Sequence, residues 1–131
     1  MIAKSLAMFL RANPAISEAC KSISPLLLEA DAQYPAMVYS LRSLDPIPLL
    51  DGGTSTLAKA TADLNILSES YSDSHDIADV VTGELHNYVG AFGDHYAEQI
   101  KQTADVELFE SEVNLFRATR TFEIWYTKPE V

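Results

Sequence analysis

The chain has 131 residues, 47% of them apolar, and its nine basic and nineteen acidic residues give a formal net charge of −10. That length suits one domain able to bury roughly two-thirds of the surface its unfolded form exposes, and the apolar share excludes a wholly disordered chain. The acidic balance repels phosphate, which argues against a conventional nucleic-acid binder and against docking on an anionic membrane.

Cys20 is the single cysteine, so neither an intrachain disulfide nor a thiolate zinc site can form. Nothing beside it in sequence would lower its pKa, and it reads as a small buried hydrophobe rather than a nucleophile. Lys4 is not accompanied by the basic run, apolar stretch and cleavage site of a signal peptide. No apolar run approaches the ~20 residues needed to cross a bilayer. An intracellular, reducing setting is expected.

Taken in order, Ile2, Leu6, Phe9 and Leu10 recur at helical spacing and predict a short amphipathic helix ending near Asn13-Pro14. Asn13 and Pro14 also suit the cap and first turn of a second short helix, with Ile16, Cys20 and Ile23 buried and Pro25 as its end. Residues 24–35 read as a connector. Met37 to Leu41 reads as a first strand. From Asp45 to Thr54 two prolines and a Gly pair predict irregular chain, although Ile47, Leu49 and Leu50 are too apolar for an idle loop.

Thr56 to Ser68 alternates, with Ala58, Ala60, Ala62, Leu64 and Ile66 on one face of a second strand. Alanine is a poor strand former, so three in a row imply close approach by another element, most simply a helix. A helix is predicted next, capped at Ser72 or Asp73 with Asp76 near its positive end, and Ile77, Val80, Val81, Leu85 and Tyr88 form its stripe. Gly90 and Gly93 close it. Ile100 to Leu108 alternates as a third strand, and the acidic link Phe109–Val113 turns the chain into a fourth.

That fourth stretch, Asn114 to Thr127, is the clearest signal. Phe116, Ala118, Phe122, Ile124 and Tyr126 line one face at a period of two, with Arg120 interrupting the row. The expected fold is α+β and two-layered: a mostly antiparallel four-stranded sheet in the order 1-2-4-3, with helices packed on one face.

Convergent catalytic groups are not evident. His75, His86 and His95 match no metal-ligand spacing, and Asp94-His95 reads more simply as a turn residue and a surface histidine than as a metal or proton-transfer pair. Gly52-Gly53-Thr54 lacks the following lysine of a phosphate loop. Glu107, Glu110 and Glu112 read as a solvated hairpin tip. No catalytic residue, metal site or cofactor is assigned.

Three stretches together resemble a known family: Tyr34-Pro35-Ala-Met-Val-Tyr39-Ser40, then Thr61 to Tyr71, and the closing Phe116 to Tyr126 with its Phe-x-Ile-Trp-Tyr run. They resemble the tail-completion, or tail terminator, proteins of long-tailed bacteriophages, over most of the chain from Tyr34 onward. The resemblance implies a virion protein that is not an enzyme. Its implied place is a homo-hexameric ring on the head-proximal end of the tail tube, between tube protein and head connector or stopper, with DNA passing through the lumen. Six acidic copies would let DNA slide without sticking. Subunit or partner contacts are expected from Ile47, Leu49 and Leu50 and from Phe109, Glu110, Glu112 and Val113, since interfaces centre on apolar anchors. Ile47 to Leu50 folding back on their own core is an equally open reading. Two rivals are an acidic DNA-mimicking module and a small α+β enzyme using Asp94, His95 or Glu84.

Overall fold

The computed structural model describes residues 2–25, 33–48 and 54–127, and for 42–48 and 54–57 the course of the backbone only. Its elements in order are α1 (Ile2–Ala12), α2 (Pro14–Ala19), β1 (Ser22–Pro25), β2 (Ala36–Pro48), β3 (Thr54–Ser68), α3 (Tyr71–Leu85), β4 (Gly90–Phe92), β5 (His95–Glu110) and β6 (Leu115–Thr127). The strands form one sheet in the order β1-β2-β3-β6-β5-β4.

The α+β class stands, and the four expected strands sit side by side in the expected order. The sheet, however, has six strands rather than four and is mixed. β1 pairs in parallel with the start of β2, and β4 pairs with the start of β5. The expected second helix stops at Ala19, and Ile23, assigned to its stripe, lies in β1. The Cys20 N–H still closes the last helical turn on the Ile16 carbonyl at 3.0 Å, after which the chain is extended.

β2 also continues through Asp45, Pro46, Ile47 and Pro48, where irregular chain is expected from the prolines. Proline cannot donate to a ladder, but among the described residues β1 pairs only with residues 36–39 of β2, which leaves the rest an edge strand. The register against β3 shifts between Pro46 and Pro48, as at a bulge.

Alternation places Ala60, Ala62, Leu64 and Ile66 of β3 beside Ala118, Phe122, Ile124 and Tyr126 of β6 on the face covered by the helices. The alanines let α3 sit close, and Ala78, Val81 and Leu85 pack down on them while Leu6 and Leu10 of α1 extend the same core. Phe122 is fully buried, and burying such a ring stabilises by about 3 kcal/mol. The cap of α3 is Ser70, not Ser72 or Asp73: its side chain accepts from the Asp73 N–H. The buried stripe of α3 is Ser74, Ala78, Val81 and Leu85; Val80 is 40% exposed, and Tyr88, expected in the stripe, lies beyond the helix. A smaller apolar group, Val38, Leu67 and Leu115 with Tyr34 against them, covers one end of the opposite face.

Candidate interaction surface

β5 changes character along its length. From His95 to Ala97 it is flanked by β4, and His95, Ala97 and Ile100 are buried. Beyond this point no strand pairs with its outer edge among the described residues. Val106, Leu108 and Phe109 are each about half exposed, at 48%, 54% and 52%, and Val113 in the following turn is 58% exposed. An open strand edge bearing apolar side chains is a ready template for another chain. The turn into β6 closes with the Val113 N–H on the Glu110 carbonyl at 3.3 Å and with Asn114 at φ 55°, a left-handed conformation that asparagine tolerates.

On the helix side this edge is clamped by one carboxylate. Glu107 accepts from the Tyr71 hydroxyl at 2.6 Å and from Arg120 Nη2 at 3.2 Å, and it pairs with His75 Nδ1. Arg120 is only 3% exposed, with Asp79 a further 3.7 Å partner and the Thr119 carbonyl accepting from Nη1. So the interruption in the inward row is a buried cation with partners, tolerable because a buried charge must be paired. These donors, the Tyr71 hydroxyl first, hold the Glu107 carboxyl down at about 2. The same contact, with Asp79 next, raises His75 above its ordinary value. A carboxylate this saturated ties α3, β5 and β6 together and is not the solvated group expected at a tip. The sequence signal was Arg120 itself. Its direct neighbour across the strands is Asp105, and the diagonal neighbour on the same face is Glu107.

The opposite end of β5 carries a groove of about 910 Å3 between α1, the start of α2, the end of α3 and β4. Ala7, Met8, Phe9, Tyr88 and Ala91 give it an apolar lining, and Lys4, Arg11 and Glu84 are also on its wall. Phe9 packs edge-on to Tyr88 at 4.8 Å and stacks with Phe92 at 4.9 Å. Gly93 is required here: its φ is 59°, and a Cβ would lie 2.5 Å from the Ser5 backbone. Ser5 Oγ accepts from the Asp94 N–H at 3.1 Å and shares a hydrogen bond with His95 Nδ1 at 2.6 Å, which fixes α1 on the β4–β5 turn. His95 is therefore buried, not a surface histidine, since this hydroxyl and the Tyr126 ring enclose it. Burial raises the Cys20 thiol to about 11, away from nucleophile chemistry.

Of the residues expected at contacts, the structure brings Phe109, Glu110, Glu112 and Val113 together at the β5–β6 turn. Phe109 packs on Phe116 at 4.9 Å, and Arg117 Nε lies 2.8 Å from Glu110. Ile47 lies in β2, while Leu49 and Leu50 are outside the described residues. The two hairpins point in opposite directions, because Thr127 is opposite both Leu57 and Tyr96, whereas Phe116 is opposite both Ser68 and Phe109. Among the described residues no cluster of three or more His, Cys, Asp or Glu could hold a metal ion, and no helix is long and apolar enough to cross a membrane.

Neither a family model nor a curated protein matches the chain. Among solved structures it is similar to a chain in the virion of a native gene transfer agent particle, with a TM-score of 0.65. The likeness covers 96% of this chain and 91% of that one at 11% identity. The two share a fold.

Proposed function

We propose that this chain is a structural virion protein that completes a phage-like tail, capping the head-proximal end of the tube as a homo-hexameric ring. The observation that carries this reading is the fold likeness to a virion component over nearly the whole of both chains. The resemblance of the closing Phe-x-Ile-Trp-Tyr stretch to tail-completion proteins supports the same place in the particle. In this reading the partners are further copies of the chain, the tail tube protein below and the head connector or stopper above, and DNA passes through an acidic lumen without specific binding. The open edge of β5 suits assembly through extended backbone rather than catalysis.

The test is to mix purified protein with tail tubes assembled without it and image them. One ring at one end of each tube, with growth then stopped, supports the proposal. Binding along the tube wall, or none, refutes it. Tight binding of the assembled ring to DNA at low salt would sink the acidic-lumen part alone.

A further inference from the structure

We infer that the β5–β6 turn of one copy seats in the groove between α1, α3 and β4 of the next, so that copies associate head to tail. This rests on the self-assembly half of the proposed function and names the two surfaces that meet. The groove and the turn lie at opposite ends of β5. That strand has 16 residues, and at about 3.3 Å per residue it separates them by roughly 50 Å, so a chain cannot fill its own groove.

The surfaces match in two respects. Val113, 58% exposed at the tip, and Phe109, 52% exposed beside it, need apolar cover, and the groove offers Met8, Phe9 and Tyr88. The charges also oppose. Glu112 is exposed at the tip, while the groove wall carries Lys4 and Arg11, two of only nine basic residues in a chain of net charge −10. The acidic residue on that wall, Glu84, has its carboxylate engaged by the Asn13 amide at 3.1 Å. At about 910 Å3 the groove is of a size that takes a few side chains. A turn alone buries less than the roughly 800 Å2 per partner of a stable interface, so it acts as the anchor of a larger contact. A contact between two different surfaces is heterologous, and such contacts close into rings when the rotation between copies allows.

The experiment uses the full chain without tail tubes. A photo-reactive phenylalanine analogue replaces Val113, cross-linked products are mapped by mass spectrometry, and association is followed by light scattering. The expected result is intermolecular cross-links to the segments carrying Met8 and Tyr88. Glu112→Lys should weaken association at least tenfold while circular dichroism stays unchanged, and Lys4→Glu in the same chain should restore part of it. A monomer at every concentration, cross-links confined to other surfaces, or an unaffected Glu112→Lys protein overturns the inference. Association through another surface by a protein that still caps tubes would defeat this contact and leave the ring proposal standing. Tip-to-groove association without capping would do the reverse.

Discussion

The two halves of β5 lie in one strand and meet opposite conditions. From His95 to Ile100 every second or third side chain is sealed under helices, and β4 covers the edge as far as Ala97. From Lys101 to Glu110 no side chain is buried, and the contacts to α3 and its cap are polar: the Gln102 N–H donates to His86 Nδ1 at 3.1 Å, and Glu107 accepts from Tyr71 and Arg120. The near half is held by the hydrophobic effect and the far half by polar contacts, the Glu107 clamp chief among them, beside an open edge. A strand built this way has a fixed end and an end available to a partner.

Changes in the packed half should have the largest effects. Phe122→Ala empties a fully buried site of the same core and should cost about 3–5 kcal/mol, read by urea unfolding. Gly93→Ala forces a Cβ against the Ser5 backbone at a positive φ and should cost about 2 kcal/mol or more. An unchanged Gly93→Ala midpoint would contradict the close approach of α1 to this turn.

In the clamped half the two partners should not behave alike. Glu107→Gln leaves a buried guanidinium with exposed Asp79 as its remaining ionic partner among the described residues and should lower the unfolding midpoint. Arg120→Met removes the buried charge at similar volume and should be near neutral. Equal losses from both would mean the clamp is not governed by the buried cation.

The clamp should also respond to pH in a set direction. Glu107, lowered from 4.5 to about 2, contributes stability that is complete above 4.5 and lost as pH falls toward 2. His75, raised above 6.5, contributes stability that is complete below 6.5 and lost as pH rises through its folded value. The thermal midpoint of the wild type should therefore be highest between those two limits, and Glu107→Gln should flatten both flanks. The smallest effect belongs to the open edge, where Val106→Ser and Leu108→Ser should shift stability by less than about 0.5 kcal/mol.

Much of the packed half is legible in the sequence and little of the clamp is. Phe122, Ile124 and Tyr126 announce their strand by alternation, and Ala60 and Ala62 announce a close neighbour, because both signals are local. Pro46 and Pro48 mislead, since whether a proline can sit in a strand depends on which edge is free, a property of the whole sheet. β1 and β4 span four and three residues, too short to carry a period. Glu107 and Arg120 are 13 residues apart, and only the register of β5 against β6 brings them to one face. The groove is less legible still, because its walls come from four separate elements.

The central claim is that this chain assembles as a cap on a tail tube. Electron microscopy of uncapped tubes mixed with the purified protein tests it most directly. The account predicts a single six-fold ring at the head-proximal end of each tube and no further elongation. Tubes that stay bare and keep growing in excess protein would contradict it.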